Sequence, residues 1–208
     1  MIVVVGRPAL RAPEDLALAR PGGLTADVAI SLAQLGVPTE LLGSVGDDEE
    51  GDRVVVELGR SGVGHAAVLR DPSTRTPLLM SEGRAPASLP RLEAADIELG
   101  LRYLPECRVL VLTEPLEDGP RAAALEGAAF HDAAVVAVLP AGSAVPDDLA
   151  ARSTVLSVPD AAFETGAAFT AFLASYAAGI ARGADPRESF RGALTASGWE
   201  PSGGGADE

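Results

Sequence analysis

The stretch FETGAAFTAFLA, residues 163–174, sets the hydroxyl of Thr165 and the bare backbone of Gly166 directly before an apolar run of helical spacing. A capping hydroxyl followed by the free N–H groups of a first helical turn is a place where an anion such as a phosphate can be held. Phosphoryl transfer also needs a proton acceptor, yet the turn that follows carries only Ala167, Ala168 and Phe169. The nearest acids, Asp160 and Glu164, both precede the helix. A second constellation lies near the N-terminus, where Gly22 and Gly23 open a helical pattern that carries Asp27. Taken singly, each piece also reads as ordinary structure: Thr165 as a helix cap, the glycines as a tight turn, Asp27 as a solvated carboxylate.

Other chemistries find less support. Cys107, His131 and Asp132 are residue types found in thiol enzymes, but nothing in the sequence links them, and a cysteine just before an apolar strand is usually inert packing. The two histidines, His65 and His131, are far apart, so no metal centre is expected. Trp199 reads as a packing anchor. A single cysteine leaves no internal disulfide and no thiolate cluster. The formal charge is −14, and all sixteen basic residues are arginine. An acidic surface argues against nucleic-acid and anionic-membrane partners, and the lack of lysine removes Schiff-base chemistry. MIVVVG reads as a short strand rather than a secretion signal, and the apolar runs are too broken to span a bilayer, so a soluble cytoplasmic protein is expected.

The elements that must position these residues alternate. Strands are expected at residues 2–5, 40–45, 108–113 and 134–139, with another at STVLSVP. Helices are expected at 25–35, 49–60, 93–103, 120–130, 166–182 and 186–196. Near-continuous apolar strands such as RVLVLT are those covered on both faces. The pattern predicts an α/β/α sandwich around a mostly parallel, Rossmann-like sheet, with strands 2–5, 40–45, 108–113 and 134–139 in one sheet. Two further β segments, 66–70 and 76–81, are joined by the turn chemistry of DPSTR and break the rhythm. They are expected to form a small two-stranded excursion within 65–83. The chain reads as one domain over 1–199, and the tail 200–208 as disordered.

In their order, PGGLTADVAISLAQLG (residues 21–36) and LLGSVGDDEEGDRVVVELGRSGV (residues 41–63) resemble the N-terminal signature of the PfkB/ribokinase family of carbohydrate kinases. VLRDPSTRTPLLMSEG resembles the family's passage into its β lid, LPECRVLVLTEPL a later core strand, and GAAFTAFLASYAAGIARGADPRESF the closing helices. The resemblance implies a ribokinase-like three-layer fold and ATP-dependent transfer of a phosphoryl group to a sugar or nucleoside hydroxyl. It makes Gly22, Gly23 and Asp27 candidate substrate-binding residues, and Thr165 and Gly166 candidate phosphate-binding residues.

The chain departs from that pattern in several places. The family's catalytic aspartate, at the end of a Gly-Ala-Gly-Asp turn, falls on Ala167, and that turn's first glycine on Glu164. A substrate-binding aspartate after the first strand falls on Arg11, and the asparagine of the double-glycine helix on Asp27. The Asn-Glu motif tied to magnesium and the nucleotide-binding segment have no counterpart between STVLSVP and the closing helices. The expectation is a shortened, degenerate member with no catalytic and no metal-binding residues, which binds a sugar, nucleoside or other small metabolite, or a partner. ATP and Mg2+ are expected only if kinase activity survives with displaced groups, which is the alternative. A homodimer through residues 66–81 is also expected, because an uncovered two-stranded piece leaves edge hydrogen bonds to satisfy.

Overall fold

The computed structural model describes residues 1–12, 18–79, 88–158 and 166–200. Its centre is a six-stranded sheet in the order β5-β4-β1-β7-β8-β9, with every pairing parallel. These strands are β1 (Ile2–Val5), β4 (Thr39–Gly46), β5 (Gly64–Asp71), β7 (Val109–Leu112), β8 (Ala134–Pro140) and β9 (Thr154–Val158). The expected strands at 2–5, 40–45, 108–113 and 134–139 lie side by side in it. The order reverses beside β1, between β4 on one flank and β7 on the other, and in open α/β sheets ligands bind outside the strand ends at such a switch point.

Alternation along the strands divides the core in two. Ile2 and Val4 of β1 face one layer, with Leu32 of α1 (Gly23–Gln34), Val54 and Leu58 of α2 (Glu49–Arg60) and Phe172 of α6 (Ala167–Ala181). Val3 and Val5 face the other, with Ile97 and Leu101 of α3 (Ala94–Tyr103), Leu125 of α4 (Asp118–Phe130) and Leu149 of α5 (Asp147–Arg152). The closing helix α7 (Pro186–Ser197) buries Ala193 in the first layer. Trp199 anchors there too, its ring centroid 4.6 Å from that of Phe172 and 5.1 Å from that of Phe169. No helix among the described residues is long and apolar enough to cross a membrane.

The excursion differs from its expected form. β5 is an edge strand of the central sheet, parallel to β4, because α2 carries the chain back to the start of the sheet and makes a β-α-β unit. The small sheet is instead built from β2 (Ala9–Arg11), β3 (Arg20–Gly22) and β6 (Leu78–Leu79), in the order β3-β2-β6. Leu10 on β2 is buried with α1 and α2 in the first core layer, so this lid folds back on its own domain. Among the described residues, segments 66–70 and 76–79 therefore lie in different sheets and form no hairpin together. Residues 80–87, like the tail from 201, lie outside the described residues.

Backbone from β4 and from just past β1 comes into close contact at the end of β1. A Cβ on Gly43 would stand 1.9 Å from the carbonyl oxygen of Gly6, a backbone atom that cannot swing aside. Gly43→Ala is expected to destabilise the fold by about 3 kcal/mol, the upper part of the overpacking range. Urea denaturation that leaves the midpoint unchanged would contradict this tight register.

Candidate functional site

Polar side chains gather where the central strands end. Thr113, one residue past β7, donates its hydroxyl to the Val5 carbonyl at 2.9 Å, and its Oγ1 lies 2.8 Å from that of Thr25 in the first turn of α1. The N-terminus of α1 is thereby fastened to the switch point. Directly beyond, Arg7 follows β1 and Glu114 follows Thr113, and they pair at 2.5 Å. Arg7 also donates to the Pro90 carbonyl. Burial pushes the Glu114 carboxyl above its ordinary 4.5, against the pull of Arg7.

The glycine-and-aspartate constellation sits under the lid. Gly22 is the N-cap of α1, and Gly23 follows at φ +80°, a conformation suited to glycine. Asp27, on the next turn, is held by Arg11 of β2 through both oxygens, Nη2 to Oδ2 at 2.9 Å and Nη1 to Oδ1 at 3.4 Å. Gly22 has ordinary extended backbone, and its reason is space. A Cβ there would lie 2.9 Å from Cβ and 3.2 Å from Cζ of Arg11, so the arginine reaches Asp27 only because position 22 carries no side chain.

Gly166 is the N-cap of α6, with no side-chain hydrogen bond to the helix and no acid in the first turn. The helix runs alongside α1 in the same direction, because Arg182 at its C-terminal end donates to the Leu35 carbonyl at the C-terminal end of α1, at 2.9 Å. Both N-termini therefore open at the same edge of the sheet, outside the ends of the strands. Gly22, Gly23 and Asp27 are brought together, and Gly166 is set at the same edge. Thr165, Asp160 and Glu164 lie outside the described residues.

The acidic turn VGDDEEG is structural. Asp48 caps α2 by accepting from the Gly51 amide at 2.8 Å, and it takes the Thr76 amide at 2.9 Å and hydroxyl at 2.6 Å. Burial pushes its carboxyl upward, but the Thr76 and Gly51 donors outweigh that and hold it below its ordinary 3.8. Asp71, at the end of β5, accepts from the hydroxyl and amide of Ser73, the Arg91 amide and the Thr74 hydroxyl. These donors, Ser73 foremost, hold it well below the usual carboxylate range.

The remaining candidates are packing groups. Burial pushes the Cys107 thiol up to about 11, so it is not a nucleophile at neutral pH. His131 hydrogen-bonds the Leu101 carbonyl through Nε2 at 2.9 Å, and His65 the Val63 carbonyl through Nδ1 at 3.2 Å. A cavity of about 110 Å³ opens beside the ends of β7 and β8, walled by Leu112, Ala137, Leu139 and Leu149, with Glu114 and Arg121 as its charged groups. Asp148 accepts from Arg121 through both oxygens at 3.0 Å.

The description of known proteins that matches is the pfkB family of carbohydrate kinases, over residues 18–87. A Pyrococcus horikoshii protein named as a sugar kinase is 31% identical over 71 residues, which make up 33% of this chain and 23% of that relative. The chain thus matches under a quarter of that relative's length. The fold likeness reaches further. The PfkB protein of Polaromonas sp. JS666 has a TM-score of 0.66 at 16% identity, covering 92% of this chain and 92% of that one. A protein of Agrobacterium tumefaciens named as a ribokinase has a TM-score of 0.64 at 17% identity, over 94% and 89% of the two chains. The chain has the ribokinase-like α/β fold.

Sequence reasoning missed the Arg7–Glu114 pair. The available signal was a charged residue one or two positions past each of two apolar strands, in GRP and TEP.

Two outcomes test this geometry. Gly22→Ala is expected to cost about 1–3 kcal/mol by pushing Arg11 off Asp27, and that cost should shrink in an Arg11→Ala background. Purely additive effects in the double-mutant cycle would disprove the linkage. Asp71 has a depressed folded pKa, so its stabilisation is full above its unfolded value and is lost as pH falls through the folded one. Denaturation midpoints followed downward from about pH 6 should therefore show the wild type's advantage over Asp71→Asn shrinking below about pH 4. An advantage independent of pH would contradict the assigned network.

Proposed function

We propose that this chain is a pfkB-like protein that does not phosphorylate sugars and instead binds a small metabolite in the crevice between the lid and α1. The observation that carries the reading is the Arg11–Asp27 pair. Where the resemblance expects an aspartate and an asparagine free to hold substrate hydroxyls, an arginine and an aspartate hold each other. The position of the catalytic aspartate is Ala167, the first residue of α6, whose methyl group accepts no proton.

The described residues do not fit magnesium and ATP. Among the described residues no three His, Cys, Asp or Glu side chains form a metal-holding group. Four carboxylates near the strand ends are engaged by protein donors: Asp27 by Arg11, Glu114 by Arg7, Asp48 by Gly51 and Thr76, Asp71 by Ser73, Thr74 and Arg91. A magnesium ion on ATP needs carboxylate or water oxygens of its own. What the lid and the start of α1 retain is the means to bind: close backbone at Gly22 and Gly23 and an ion pair that solvent reaches.

Purified protein given ATP, magnesium and a panel of sugars and nucleosides is expected to release no ADP above background. Loss of a positioned general base alone costs about 10²–10⁴-fold. Ala167→Asp is expected to restore nothing, since it returns a proton acceptor without a site for the nucleotide. Magnesium-dependent ADP release that follows sugar identity would overturn the proposal and favour a kinase with displaced groups. A saturable rise in melting temperature with a metabolite, without turnover, would support it.

A further inference from the structure

The lid carries a charge arrangement that stability alone does not explain. In the antiparallel register of β2 and β3, Arg11 stands directly opposite Arg20. Directly opposed residues in such a ladder share one face of the sheet, with Cα atoms about 4.5–5.5 Å apart. Like charges so placed are destabilising. The chain has thirty acidic residues against sixteen arginines, so acids were available for this position. Arg20 is exposed, and among the described residues it forms no ion pair. Ala9 and Gly22 are the next opposed pair along the same face, and Arg11 lies across Gly22 to reach Asp27. The face of the lid that carries Arg11 thus also carries Arg20, and α1 opposite it carries a carboxylate one helical turn from Gly23. The helix bearing that carboxylate opens with no acid in its first turn and no side-chain cap, which leaves its positive end facing the same space.

Resting on the metabolite-binding reading above, we infer that the crevice selects a small anionic polyol: a carboxylate or phosphate bound between Arg11 and Arg20, with a neighbouring hydroxyl donating to Asp27. The guanidinium fork suits a carboxylate or phosphate through two parallel hydrogen bonds. The Arg11–Asp27 pair is a looser version of that contact, with one bond at 2.9 Å and one at 3.4 Å, and its side chains are 35% and 22% exposed. An incoming anion takes over the outer part of Arg11 and neutralises Arg20, which relieves the cross-strand repulsion. Asp27 gains a hydroxyl donor. A neutral sugar satisfies Asp27 but leaves both guanidinium groups as they were.

Calorimetric titration with ribose, D-gluconate, ribose 5-phosphate and inorganic phosphate tests the inference and separates carboxylate from phosphate. At least one of the two anionic polyols is expected to bind about tenfold more tightly than ribose. Arg20→Gln, a change at an exposed position, is expected to weaken that compound about tenfold and leave ribose unaffected. Ribose binding as tightly as both anionic polyols, or an anionic polyol indifferent to Arg20→Gln, would overturn the inference while leaving the metabolite reading standing. Inorganic phosphate matching ribose 5-phosphate would also overturn it, because recognition would then need no polyol. Binding of none of the four would overturn both.

Discussion

The close approach of β1 to its two neighbours is the constraint on which the rest of the molecule depends. Gly43 leaves room for the Gly6 carbonyl, and Gly6 leaves room for Thr25 and Thr113, whose Oγ1 atoms would stand 2.6 Å and 2.4 Å from a Cβ there. Two missing side chains thus let β4, β1 and β7 converge, and two hydroxyls close the gap with hydrogen bonds to each other and to the Val5 carbonyl. Because Thr25 lies in the first turn of α1, that contact fixes where the helix begins. The lid strands, Asp27 and the Arg7–Glu114 pair are all set out from this point within a few residues of chain.

The ion pairs leave the electrostatic problem of that edge open. Parallel strands end there and helices α1 and α6 begin there, so unpaired backbone amides and positive helix ends collect together. In an ordinary acidic protein, carboxylates in the first turns would neutralise them, as Asp48, Asp96 and Glu188 do in α2, α3 and α7. Helices α1 and α6 have no such acids. The carboxylates nearest the switch point are turned onto arginines instead. Partly buried pairs of this kind contribute little net stability, since desolvation offsets the attraction. Their effect here is to occupy carboxylates that would otherwise be free to bind hydroxyls or metal ions.

The sheet was legible in the sequence because buried parallel strands are written as short apolar runs, and IVVV, VLVL and AVVAVL announce themselves. Helix positions followed from periodicity, and α2 was bounded by its own cap and by the glycine after it. The lid was not legible. β2 and β3 have three residues each and β6 has two, too few for alternation to show, and their pairing joins residues 10 and 78. β5 was misplaced for a related reason: DPSTR is true turn chemistry, but a turn says nothing about which sheet the preceding strand joins. At the site, Arg11 and Asp27 were each visible as departures from a family pattern. Their meeting was not, since only the fold brings the lid over α1.

The two altered positions differ in what holds them in place. Helix α6 is secured by Phe169, Phe172 and Tyr176 packing with Phe190 and Trp199, along the face that meets the sheet. Nothing in that packing depends on residue 167, which stands half a turn before the first buried position. An alanine there meets the demands of a helix start, so the fold exerts no pressure to keep an acid. Arg11 is different. Its guanidinium needs the empty space at Gly22 and the carboxylate at Asp27, and it faces Arg20 at a cost. A residue that faces a like charge, in a trio whose members depend on one another, is held by more than core packing. The fold is indifferent at Ala167 and sets like charges opposite one another at Arg11 and Arg20, so the proposed binding is to be tested at the lid.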